Sequence, residues 1–111
     1  MGLFNWRSKA KRPAEGAPGG RDAKSETVQH LREFIAAHTG CEAFIEPPTR
    51  VTQTTMVIVA DTGEWTRRRI PDEGTGRRLA KQFGIPAFDV NLSGYPSRMR
   101  EWNEKQRKSR G

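Results

Sequence analysis

The stretch from Val51 to Ile70 leaves the chain few ways to fold. It reads Val-Thr-Gln-Thr-Thr-Met-Val-Ile-Val-Ala, then Asp-Thr-Gly, then Glu-Trp-Thr-Arg-Arg-Arg-Ile. β-Branched residues dominate the first ten positions, and their restricted χ1 favours an extended, pleated backbone. Asp61-Thr62-Gly63 is a polar break with glycine last, which suits a three-residue hairpin loop whose final residue takes positive φ. Met56 to Ala60 is apolar without alternation, so this part of the strand is covered on both faces. The stretch predicts a central antiparallel hairpin over 51–70.

The rest of the chain supplies elements to pack on that hairpin. Val28, Leu31, Phe34, Ile35 and His38 recur at helical spacing within Asp22–Thr39. Asp22 or Ser25 is placed to cap the start of that helix, and Gly40 to end it. Glu42–Glu46 is a short strand stopped by Pro47-Pro48. A second helix spans about 75–83, capped by Asp72 or Thr75 and closed by Gly84-Ile85-Pro86 in a Schellman-type end. Residues 87–92 alternate, with Phe88, Val90 and Leu92 inward and Asp89 and Asn91 outward, and read as a strand. With strand 64–70 and helix 75–83 it predicts a parallel βαβ unit. Pro96 opens a last helix, reaching about Lys108, whose stripe is Tyr95, Met99, Trp102 and Gln106. The predicted fold is α+β: a small mixed sheet, made of the hairpin and one or two further strands, with three helices in a single domain over 22–108.

Residues 1–21 read as a disordered basic tail. Pro13 to Gly20 is a Gly/Pro linker, and Leu3, Phe4 and Trp6 followed by Arg7 form a candidate docking tail for an anionic surface or an acidic groove. Trp6 occupies the position where a myristoylation motif needs Ser or Thr. No apolar run is long enough to span a bilayer or serve as a signal peptide, so no integral membrane association and a cytoplasmic location are expected.

Charge is concentrated at the ends. The chain carries a net charge of +7, and residues 1–24 and 98–111 each hold six Lys/Arg against two acids. The middle is nearly neutral, yet it contains Arg67-Arg68-Arg69. On a strand, Arg67 and Arg69 share one face and Arg68 takes the other. That run reads either as a soluble edge kept apart by charge or as a ridge that touches phosphates. Gly74-Thr75-Gly76 at a helix start is a weak anion-site signal. It matches neither the P-loop nor the complete dinucleotide fingerprint.

Catalytic chemistry finds little support in the residues. Cys41 is the lone cysteine, which excludes an internal disulfide and a C-x-x-C redox pair. His38 and Cys41 offer two ligands where a structural zinc site needs four, and His30 and His38 do not make an i, i+4 pair. No catalytic residue, metal or cofactor is assigned.

Two resemblances add expectations. Glu64–Arg69, Gly84-Ile-Pro86, Gly94-Tyr-Pro96, Arg98-Met-Arg100 and the opening Met-Gly-Leu-Phe resemble a family of small uncharacterised proteins of high-GC Gram-positive bacteria. Its members often carry a generic "oxidoreductase" name, which implies redox activity without assigning residues to it. The order helix, three strands, helix, with Gly-Thr-Gly-Arg-Arg-Leu-Ala-Lys at the second helix, is similar to a double-stranded-RNA-binding domain. That similarity implies phosphate contacts from Arg77, Arg78 and Lys81. The residues themselves favour a non-enzymatic interaction module that binds a polyanionic or acidic partner, whether RNA, a ribonucleoprotein or an acidic protein. Trp65, Arg67, Arg69, Arg77, Arg78 and Lys81 are the candidate binding residues.

Overall fold

The computed structural model describes residues 23–110. The tail and linker expected over 1–21, with Leu3, Phe4, Trp6 and Arg7, lie outside the described residues. The elements run α1 (Ser25–Ala37), β1 (Glu42–Glu46), β2 (Thr55–Val59), β3 (Trp65–Arg69), α2 (Glu73–Phe83), β4 (Ala87–Asp89), α3 (Val90–Ser93) and α4 (Ser97–Arg110). The fold is α+β, with a small mixed sheet in the order β3-β2-β1-β4. β2 pairs antiparallel with β1 and β3, and β4 pairs parallel with β1.

The pleat divides the core in two. One face brings Ala43, Met56 and Ile58 together with Leu31, Leu79 and Ala80, under α1 and α2. The other holds Phe44, Val57 and Val59 against Met99 of α4 and Trp65. Met56, Val57, Ile58 and Val59 are fully buried, which explains the unbroken apolar run in β2. Each such burial contributes roughly 1.5–3 kcal/mol, so β2 is the centre of the fold. No helix among the described residues is long and apolar enough to cross a membrane.

The hairpin loop forms as its residues dictate. Gly63 has φ +95°, its N–H donates to the Ala60 carbonyl at 2.9 Å, and the Ala60 N–H donates to the Glu64 carbonyl at 2.8 Å. α2 also has the predicted ends. The Asp72 carboxylate accepts from the Thr75 N–H at 2.8 Å, and Gly84 is left-handed, with Ile85 N–H reaching back to the Ala80 carbonyl.

Several boundaries differ from the sequence reading. β2 begins at Thr55, not Val51, because the Thr49 hydroxyl accepts from the N–H groups of Val51 and Thr52 and holds them in a turn. α1 starts after Lys24, which provides no side-chain cap; Ser25 lies inside the helix, and Asp22 lies outside the described residues. His38, in an extended conformation, already ends α1, so Gly40 serves the following turn instead. The strand predicted over 87–92 stops at Asp89, whose carboxylate accepts from the Asn91 N–H at 2.8 Å and starts the helical turn α3. Leu92 is consequently 88% exposed, whereas Phe88, still on the strand, stacks on Phe44 with ring centres 5.4 Å apart and is 37% exposed. β4 pairs with β1, so β3 and β4 are parallel but lie at opposite edges of the sheet. A fourth, short helix therefore joins the three predicted. α4 begins at Ser97, and Tyr95, ahead of it, leaves the expected stripe to bond Glu46.

Candidate anion-binding edge

β3 is an edge strand, so side chains from both of its faces reach round to the same open side. The expected alternation holds. Toward α1, the Thr66 hydroxyl meets His30 Nε2 at 2.6 Å and an Arg68 guanidinium nitrogen lies 3.2 Å from His30 Nδ1. On the α4 side, Trp65 donates its indole N–H to Asn103 Oδ1 at 2.9 Å, and the Arg67 guanidinium lies 5.1 Å from the centre of the Trp65 ring. Arg69 follows on that same face and is exposed.

Arg67 is fixed by Glu46. Its Nε and Nη2 donate to the two oxygens of that carboxylate, each at 2.9 Å, in the bidentate fork that arginine geometry favours. Thr55 and Tyr95 also donate their hydroxyls to Glu46. Burial pushes the Glu46 carboxyl up, but hydrogen bonds from Arg67, Thr55 and Tyr95 outweigh it and hold the group below the usual carboxylate range. Burial, reinforced by Glu46, raises the Tyr95 phenol above its ordinary value.

Beside this cluster, where β3 ends and α1 begins, lies an open depression of about 730 Å³. Lys24, Arg67, Arg68 and Arg69 line it, Thr27, Gln53 and Thr55 add neutral hydrogen-bonding groups, and among the described residues no carboxylate lines it, Glu46 standing behind Arg67. Lys24, Thr27 and Gln53 carry no sequence signal for this role, since only the tertiary fold brings them to β3. Arg68 falls outside the candidate set when the faces are counted separately, yet the edge position returns it to the group.

The other candidates sit elsewhere. Arg77, Arg78 and Lys81 are on α2, which covers the opposite face of the sheet from Arg67 and Arg69. Arg77 and Arg78 follow the helix start, and Arg78 donates to the Thr75 hydroxyl at 3.1 Å. The start of α2 is not an anion cradle, because Asp72 occupies the Thr75 N–H. Gly76 is instead a packing glycine: a Cβ there would meet Ile70 Cδ1 at 2.8 Å and Ile45 Cδ1 at 3.0 Å.

The histidines and the thiol are engaged in structure. His38 Nδ1 lies 2.7 Å from the Phe34 carbonyl oxygen and Nε2 lies 2.9 Å from Glu64 Oε1. Cys41 is buried. Among the described residues, no three His, Cys, Asp or Glu side chains are grouped to hold a metal ion.

Comparison with protein families, with characterised proteins and with solved structures yields no match.

Proposed function

We propose that the protein is a non-enzymatic interaction module that binds an acidic or polyanionic partner at the open edge of β3. The observation that carries this reading is the depression on which Lys24, Arg67, Arg68 and Arg69 converge. Clustered cations beside a low-dielectric wall raise the local concentration of an anionic partner and speed its encounter. Glu46 fixes Arg67 in place beforehand, so less side-chain entropy is given up when the partner docks.

Titration of the full chain with poly-L-glutamate and with poly(U) over a salt series tests the reading. Binding at low salt should weaken when Lys24, Arg68 and Arg69 are replaced together by Ala. For poly(U), removing each cation that pairs with a phosphate should reduce the salt slope by roughly 0.7. Absence of binding at low salt, or unchanged affinity in the triple variant, overturns it. Deleting residues 1–21 provides the comparison for binding through the tail.

A second reading rests on α2. Arg77, Arg78 and Lys81 lie within two turns of that helix, where a duplex RNA backbone would meet them. Duplex affinity lost in an Arg77, Arg78 and Lys81 variant, but retained when the β3 edge is altered, favours it. An oxidoreductase reading would rest on Cys41, and burial pushes that thiol's pKa up, which disfavours the reactive thiolate.

A further inference from the structure

We propose that the open edge of β3 accepts an extended acidic peptide as an added strand. This rests on the reading that the edge binds an anionic partner, and it names the partner's chemistry and conformation. The hydrogen-bond columns of the hairpin give the geometry. Ala60 N–H bonds the Glu64 carbonyl, and Ile70 N–H bonds the Thr54 carbonyl at 3.0 Å. Both are hydrogen-bonded pairs, and with the observed register the intervening pairs of that kind are Ile58 with Thr66 and Met56 with Arg68. An antiparallel ladder alternates, so Trp65, Arg67 and Arg69 direct their backbone N–H and carbonyl groups away from β2, to the open side. No strand among the described residues pairs there.

That edge is short of the usual protections. It contains no proline, and its pairing with β2 runs without a bulge from Thr55–Arg69 to Val59–Trp65. Among the described residues its protection is the charge of Arg67-Arg68-Arg69 and the Arg68 guanidinium, which lies 3.5 Å from the Arg67 carbonyl oxygen and must swing aside for an added strand. Such a run repels neutral apolar or cationic strands and admits one that carries carboxylates. Acidic side chains at every second residue of an added strand recur at about 6.8 Å, the spacing of Arg67 and Arg69 along β3.

The same residues argue against a nucleic acid on this edge. Stacked recognition of single strands needs open aromatic faces. Trp65 is the aromatic residue on β3, and its ring is approached by Arg67 while its N–H is spent on Asn103. Backbone N–H and carbonyl groups in alternation match another polypeptide. A phosphate chain supplies acceptors without the donors.

The test uses the full chain, isotopically labelled, and three probes at low salt: the end-blocked peptide (Val-Glu)4, the same peptide N-methylated at every bond, and poly(U). Strand addition predicts that (Val-Glu)4 slows amide hydrogen exchange at Trp65, Arg67 and Arg69, but not at Thr66 and Arg68, which already bond β2. It also predicts that the N-methylated peptide loses this binding and that Arg69→Glu weakens the unmethylated one. Equal binding of both peptides, protection without the two-residue period, or binding of poly(U) alone overturns strand addition while leaving the polyanion reading standing. Failure of all three probes, and of poly-L-glutamate, overturns both.

Discussion

Arg98 donates from Nε to the carbonyl oxygen of Ala60 at 2.8 Å, and this bond joins α4 to the hairpin turn. The same guanidinium reaches Glu42 Oε1 at 2.7 Å. Ala60 thereby has both carbonyl lone pairs used, one by Gly63 N–H and one by Arg98. Hydrogen bonds to charged groups contribute about 1.5–3 kcal/mol each when partly buried. Arg98→Ala should therefore cost about 2–3 kcal/mol in urea denaturation. Arg98→Lys should recover only part of it, because an ammonium lacks the fork that spans both acceptors.

Gly63 and Gly84 separate two costs of adding a methyl group. Both have positive φ, +95° and +76°. A Cβ on Gly63 would lie 2.1 Å from the Arg98 carbonyl oxygen, whereas one on Gly84 meets nothing within 4 Å. Gly84→Ala should cost only the left-handed strain, about 1–2 kcal/mol. Gly63→Ala should cost that and a further 1–3 kcal/mol, roughly, of overpacking, and should loosen α4. Denaturation midpoints of the two variants, with exchange rates across α4, check the difference.

Protonation of His38 should stabilise the fold. Both ring nitrogens face acceptors, and only the imidazolium has two N–H groups to give them. The bond to the Phe34 carbonyl and then that to Glu64 raise its pKa against the opposing effect of burial. With the folded value above the unfolded one of about 6.5, the stabilisation is complete below that pH and is lost as pH rises through the folded value. Melting temperature should fall as pH rises above about 6.5, and less so in Glu64→Gln. An unchanged profile in that variant contradicts the assignment.

Glu46 should have the opposite dependence. Its carboxyl is depressed below the ordinary range despite burial, by Arg67, Thr55 and Tyr95. Its contribution is present above the unfolded carboxyl pKa of about 4.3 and lost as pH falls through the folded value. Glu46→Gln should cost roughly 2 kcal/mol at neutral pH and flatten the acid limb of the stability curve.

Cys41 should resist thiol reagents in the native state. It is 7% exposed and packs with Leu31 and Ala43, and burial raises its pKa, as does Asp61, against the pull of Arg98. Reaction with an aromatic disulfide should be slow in buffer and fast in urea. Cys41→Ala should be tolerated better than Cys41→Ser, since a buried hydroxyl without a partner costs about 1–3 kcal/mol.

Local chemistry was legible in the chain, and long-range pairing was not. Glu42–Glu46, the loop ending at Gly63 and both caps of α2 depend on residues close in sequence, and each forms as those residues predict. The strand expected to reach Leu92 fails for a local reason that the apolar alternation hides: Asp89 offers the Asn91 N–H a partner that competes with the ladder. The pairing of β4 with β1 and of Glu46 with Arg67 joins distant positions, and no spacing rule reaches across such gaps. For the candidate site, the arginine run and its facing were readable. The contributions of Lys24, Thr27 and Gln53, and the separation of α2's cations from β3, required the fold.

The sheet's two covers are made at different times. α1 and α2 precede α4 in the chain, so the residues that roof one face are synthesised before Met99, which Phe44, Val57 and Val59 need on the other. For that interval the nascent molecule carries a bare apolar surface next to an unpaired edge, the combination through which incomplete chains stick to one another. Where two such copies meet β3 to β3, arginine faces arginine. The run proposed here to select a partner would thus also set such unfinished copies against one another by charge.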